Sequence, residues 1–203
     1  MICYKCGSFT ADGERKCSVC GQLFASDRRR TKRPATSSSK SEGPFPKGQI
    51  LGGRYVLEAG PSASASGWTY RAKDQKENIW VAVKVIDAKL LQTEAERSKF
   101  LSALKKASKV NHPCWTKTLG QGTDRDILYY ITPFIDGLSL RKIIDLRAEK
   151  RQVFSLAEST PTFRQLANAL AALKKGDYHG ALTPRSLRIL PETLKVSGLA
   201  HLK

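Results

Sequence analysis

From residue 49 onward the apolar positions recur with a readable period. Arg54 to Ala59, Trp68 to Lys73 and Trp80 to Asp87 are short runs rich in Val, Ile, Tyr and Trp, separated by turn-formers, and they predict three strands of an antiparallel meander. From about Leu90 to Lys109 the period changes. Phe100, Leu101, Leu104, Ala107 and Ser108 fall at helical spacing. Two more strands, near Trp115 to Gly120 and Asp126 to Thr132, complete a five-stranded sheet with one helix against it. The remainder reads as mainly helical: Leu138 to Lys150, then Ala157 to Lys175, stopped by Gly176, with Leu166, Ala169, Leu170 and Leu173 marking an apolar stripe. The fold class is α+β.

The first 48 residues lack this periodicity and divide in two. Residues 1–24 hold four of the five cysteines, and residues 25–48 are rich in Arg, Lys, Ser, Pro and Gly. The second stretch has too few apolar residues to offset its ordering entropy, which predicts a flexible basic linker ahead of a domain at 49–203. Charge follows the same division. With 35 Lys+Arg against 18 Asp+Glu the chain carries +17, so a nucleic acid, an anionic lipid or an acidic protein face is a suitable partner class. No window reaches the ~18 apolar residues of a membrane span, because Ile127 to Leu140 is broken by Pro133, Asp136 and Gly137. No basic and apolar leader precedes Cys3. A cytoplasmic location is therefore expected, where paired cysteines suggest metal more than disulfide.

Cys3, Cys6, Cys17 and Cys20 form C-x2-C-x10-C-x2-C. Two residues between thiolates let both bind one ion from a tight turn, and Gly7 and Gly21 permit the positive φ of such a knuckle. Four thiolates close a tetrahedral zinc site, structural and not catalytic. The pattern resembles the zinc ribbon family, which implies metal binding by these four residues and a role in binding proteins or nucleic acids. A redox dithiol would need a larger scaffold than 24 residues supply. Cys114, beside Trp115, reads as a packed, unreactive thiol.

A second resemblance rests on landmarks in order: Arg54-Tyr55-Val56-Leu57, Gly67-Trp68-Thr69-Tyr70-Arg71-Ala72-Lys73-Asp74, Val81-Ala82-Val83-Lys84-Val85-Ile86, Asn111-His112-Pro113, Pro133-Phe134-Ile135-Asp136-Gly137-Leu138-Ser139-Leu140 and Tyr178-His179-Gly180-Ala181-Leu182-Thr183-Pro184-Arg185-Ser186-Leu187. Over roughly residues 54 to 200 the chain resembles the bacterial serine/threonine kinase family. The resemblance implies a kinase-like N-lobe, a helical C-lobe truncated at Lys203, and a small zinc ribbon ahead of both. It also implies which parts are lost. Ser62, Ser64 and Gly67 stand where three phosphate-facing glycines belong, so a hairpin turn that binds nothing is expected there. Lys84 matches the lysine that contacts nucleotide phosphates. Its glutamate partner aligns with Ala103, and Glu94 or Glu96 lie about 10 to 14 Å of helical rise away. The proton-accepting aspartate aligns with Ala181, the magnesium-holding asparagine with Ser186 and the intervening lysine with Thr183. Val196 and Ser197 replace the Asp and Phe of the metal-binding triplet. His179 reads as a core histidine.

The expectation is a catalytically inactive pseudokinase acting as a protein-binding adaptor or regulatory subunit, with structural zinc as cofactor and ATP not expected to bind. One rival is a nucleic-acid-binding protein using Arg28, Arg29, Arg30, Lys32 and Arg33. Another is a non-hydrolysing ATP sensor using Lys84.

Overall fold

A computed structural model describes residues 3, 8, 10, 14–21, 23, 43–173, 179–190 and 193–198. The described residues form two compact units, one from 43–108 and 117–134, the other from 109–116 and 135–198 with the N-terminal cysteine segment. The basic run at 28–33 lies outside the described residues.

The first unit is a six-stranded antiparallel sheet in the order β1-β2-β3-β4-β6-β5, with a helix following β4. The strands are β1 (Ile50–Leu51), β2 (Tyr55–Ser64), β3 (Gly67–Asp74), β4 (Trp80–Ile86), β5 (Gly120–Asp124) and β6 (Ile127–Pro133). Helix α1 (Glu94–Ser108) starts from a reciprocal cap in which Thr93 Oγ1 accepts from the Glu96 N–H and the Glu96 carboxylate accepts from the Thr93 N–H. Acidic residues in its first turn and Lys105 and Lys106 in its last both favour the helix dipole. Tyr70, Ala72, Val81, Val83, Val85, Tyr129 and Ile131 build the buried core. The Arg54 guanidinium clamps the Asp74 carboxylate through two bonds of 2.7 Å, holding that carboxyl below its usual range.

Several boundaries move from their predicted places; β2, predicted to end at Ala59, runs on to Ser64, and α1 starts at Glu94. The expected strand at Trp115 to Gly120 is instead Gly120–Asp124, a segment without β-branched or aromatic side chains apart from Thr123. Its strand state comes from pairing with β6 across a tight turn, while Trp115 packs in the other unit. The domain also starts before residue 49. Phe45 is 2% exposed in the core, its N–H donates to the Tyr70 hydroxyl at 3.2 Å, and the rings pack 6.4 Å apart. A lone Phe between two prolines has no periodicity to show, so sequence reading left it in the linker. The last predicted helix ends at Ala171, short of Lys175.

In the second unit, β7 (Leu138–Ser139), β8 (Leu187–Ile189) and β9 (Leu194–Val196) form a small antiparallel sheet beside α2 (Leu140–Glu149) and α3 (Leu156–Ala171). Ser139 caps α2, and a Ser155/Glu158 capping box starts α3. Arg147, 4% exposed, joins the two helices: it bonds Glu158 at 2.6 Å and Val153 O at 3.1 Å and lies 4.1 Å over the Phe154 ring. This pair holds Glu158 down at about 2.

Candidate functional site

The Cys3, Cys17 and Cys20 ligand atoms all lie within 4.8 Å of one another, and the Cys3 and Cys20 sulfurs are 3.6 Å apart. That separation is far beyond the ~2.05 Å of a disulfide and close to the edge of a tetrahedron with ~2.3 Å metal–sulfur bonds. Gly21 stands at φ +67° and donates its N–H to Cys17 O at 2.9 Å, the knuckle the spacing predicts. Cys3 and Cys17 are buried. Three thiol groups this close are compatible with a metal ion such as zinc; Cys6 lies outside the described residues.

In the sheet unit, Lys84 stands on β4 opposite Thr69 of β3 and Tyr130 of β6, so the three share one face. Lys84 is half-buried, and its ammonium lies 5.6 Å from the centre of the Tyr130 ring, whose phenol is pushed well up by burial. Ala103 falls on the buried side of α1 with Leu104 and Ala107. Glu96 is committed to the Thr93 cap, and these hydrogen bonds hold its carboxyl below the ordinary range. A retained lysine is thus present without a carboxylate at the expected helical position.

The hairpin that replaces the glycine-rich loop stays paired almost to its tip, with Ser62 opposite Thr69, Ala63 opposite Trp68 and Ser64 opposite Gly67. Ser64 Oγ donates to Gly67 O at 3.0 Å, and Asp87 N–H bonds Ser66 O at 3.1 Å. Gly67 has φ +128°, and a Cβ there would sit 2.1 Å from Val85 O. Close packing on β4 therefore accounts for the one glycine that remains.

In the second unit the loop after α3 is organised by Trp115 and His179, stacked at 5.7 Å and 17°. The Trp115 indole N–H donates to Ala169 O at 2.8 Å, fixing α3. His179 is 3% exposed; its Nδ1 accepts from the Ala181 N–H at 3.3 Å, so Nε2 carries the proton and donates to Ser197 O at 3.0 Å. Both ring nitrogens serve the fold, as expected of a core histidine.

Around it, Ala181 is an exposed methyl. Ser186 closes a ring on its own turn, its hydroxyl donating to Thr183 O at 2.7 Å and accepting from Thr183 N–H at 3.0 Å. Val196 is fully buried and donates its N–H to Cys114 O at 2.7 Å; Ser197 Oγ donates to Ser186 O at 3.1 Å. Residues 179–190 and 193–198 contain no Asp or Glu. The described residues of this loop are tied to one another by hydrogen bonds and carry no carboxylate. Sequence reasoning missed the Trp115 indole bond and the Arg147–Glu158 pair. The Ser155-x-x-Glu158 capping signature was readable; the Trp115 partner, 54 residues away, was not.

A family model for protein tyrosine and serine/threonine kinases matches residues 56–197, more than half of the chain. A probable serine/threonine-protein kinase of Clostridium perfringens is 24% identical over 145 residues, covering 71% of this chain and 21% of that protein. A probable serine/threonine-protein kinase of Clostridium acetobutylicum is 24% identical over 150 residues, covering 72% and 22%. The chain spans about a fifth of the length of these relatives. The crystal structure of the Mycobacterium tuberculosis PknI kinase domain superposes with a TM-score of 0.68 at 18% identity, covering 77% of this chain and 61% of that one. That likeness establishes a kinase-like fold, incomplete relative to the PknI domain.

Proposed function

We propose that this chain, which belongs to the protein tyrosine and serine/threonine kinase family, is a catalytically inactive member that works by binding a protein partner in the cytoplasm. The observation that carries this reading is the occupancy of the three chemical positions by Ala181, Ser186 and Val196. Phosphoryl transfer needs a group to orient or deprotonate the substrate hydroxyl and carboxylate or amide oxygens to hold magnesium. A methyl, a hydroxyl closed on its own turn and a buried isopropyl group supply neither. His179 cannot stand in as the base, since its one lone-pair nitrogen already accepts from Ala181.

The cysteine module adds a second contact. Cys3, Cys17 and Cys20, with Cys6 as fourth ligand by spacing, would hold zinc as a structural cross-link. Two contacts joined by one chain raise the effective concentration of each at a shared assembly.

Two experiments test the reading. Incubation of the purified chain with radiolabelled ATP, magnesium and a mixed protein substrate should give no phosphate incorporation above that of Lys84→Ala; Lys84-dependent transfer would overturn it. Co-purification of the tagged chain from its native cells, with nuclease and a moderate-salt wash, should retain a stoichiometric protein. Recovery of nucleic acid alone, lost with salt, would favour the basic run instead. A second reading, ATP binding without transfer, is favoured by the retention of Lys84 on the Thr69/Tyr130 face. A thermal shift with millimolar ATP that vanishes in Lys84→Ala would support it.

A further inference from the structure

Helix α3 carries apolar side chains on two faces. The inner face is fixed to its own unit: the Trp115 indole N–H donates to Ala169 O at 2.8 Å, the Leu194 N–H donates to Gln165 Oε1 at 2.9 Å, and Arg147 holds Glu158. The outer face presents Leu156, Thr160, Phe163, Ala167 and Leu170, all exposed, with Leu156 at 83% and Phe163 at 66%. Val153, also exposed, continues the patch just ahead of the helix. Together these side chains expose on the order of 500 Å² of apolar surface, the size of patch that marks an interaction site.

The spacing of the outer stripe points to its occupant. Residues 156, 160, 163, 167 and 170 are four and three positions apart in turn, the seam of a helix that pairs with another helix. Large side chains at 156, 163 and 170 alternate with small ones at 160 and 167. A second copy turned end for end, about a two-fold axis between residues 161 and 162, sets Phe163 against Thr160 of the other copy and Leu156 against Ala167. Every such layer then holds one large and one small residue. A parallel pair would set large on large and small on small, so that some layers are overfilled and others leave voids.

The stripe is also ready to be covered. The Thr160 hydroxyl donates to Leu156 O at 2.7 Å, and that of Ser159, beside the seam, donates to Ser155 O at 2.9 Å. Both groups would enter an apolar contact with a partner already in place. Arg164 is the only charged residue among the exposed positions of α3, in a chain of which 26% is charged. The net charge of +17 is therefore carried away from this face.

We propose that the outer face of α3 is a self-association surface, on which a second copy of this chain packs its own α3 antiparallel. Two such faces bury about 1,000 Å², the lower limit of a specific interface, so the dimer is weak and depends on concentration. The inference goes beyond the adaptor reading and does not rest on it. The stripe lies outside the loop at 179–198, so phosphotransfer by the chain would leave it standing.

The test is sedimentation equilibrium of the full reduced chain from about 2 to 200 μM, where the mass should rise from one chain toward two. Raising the salt from about 0.05 to 0.5 M should tighten the dimer, because screening relieves repulsion between two chains of +17. Phe163→Glu and Ala167→Glu should each weaken it about tenfold or more. Both positions are exposed in a single chain, so the circular dichroism spectrum should stay unchanged and separate lost association from lost fold. Photolysis of p-benzoylphenylalanine placed at position 156 should link it to a peptide containing Ala167 of the other copy; linkage to residues 153–160 would mean a parallel pair and overturn the proposal. A single-chain mass at about 200 μM, or a dimer that Phe163→Glu leaves intact, overturns it too. A monomer that captures a helix of a different protein on this face would assign the stripe to that protein and overturn it as well.

Discussion

The buried pair between Arg147 and Glu158 gives a stability prediction with its own internal control. Glu158 titrates at about 2 in the fold against an ordinary 4.5, chiefly through its hydrogen bonds to Arg147 and helped by the Ser155 cap. At about 1.36 kcal/mol per pH unit, that difference corresponds to about 3 kcal/mol of folding stability. Because the folded value is depressed, the contribution is fully present above pH 4.5 and is lost as pH falls from 4.5 toward 2. Glu158→Gln removes the charge and leaves a guanidinium that is 4% exposed without its counter-ion, which costs about 3 to 5 kcal/mol at neutral pH. The variant should also lose the pH dependence that this carboxyl confers. Other carboxyls with lowered values, Asp74 among them, titrate in both proteins and cancel in the difference. The assay is urea unfolding at pH 7, 5, 4 and 3 with 5-fluorotryptophan incorporated, following the 19F resonance of Trp115. That indole is bonded to α3 and reports the unit concerned. A wild-type minus variant difference that stays constant across this range would refute the reasoning, since it would mean that Glu158 keeps its unfolded-state pKa.

Three further outcomes follow from the packing. Phe45→Ala should destabilise the sheet unit by about 3 to 5 kcal/mol in chemical denaturation, whereas removal of residues 1–42 should leave that unit within about 1 kcal/mol. Gly67→Ala should cost about 2 kcal/mol or more, because both the φ of +128° and the 2.1 Å approach to Val85 O oppose a methyl group; a neutral result would dissociate this glycine from the packing of β4. Cobalt titration of the reduced chain should produce thiolate-to-cobalt absorption bands at one equivalent, and Cys17→Ser should weaken the site at least tenfold; bands unchanged in that variant would exclude the three-sulfur cluster as the centre of the site.

Much of the fold was legible because it is written in local period. The alternation in β3, the apolar run of β4 and the helical spacing of α1 each depend on residues within a few positions. The same holds for the cysteine knuckle, whose Gly21 does what its place after the second pair implies. What escaped was structure made by partners distant in sequence. β5 has almost no strand signature and exists by pairing with β6; Phe45 belongs to the core only because Tyr70 receives it.

By itself the sequence determined the kinase-like order of elements, which residues stand at 181, 186 and 196, and the spacing of the four cysteines. These are matters of residue identity, and an absent carboxylate at 181 or 196 needs no coordinates to be noticed. The tertiary structure decided what the replacements do instead. It turned Ser186 onto its own backbone, gave both nitrogens of His179 to the frame and sealed Val196 in the core. Among the described residues it also gave β5 a single strand neighbour, β6. The physical reason is that hydrogen-bond partners and free edges depend on which distant segments meet. Local propensity carries no record of that meeting.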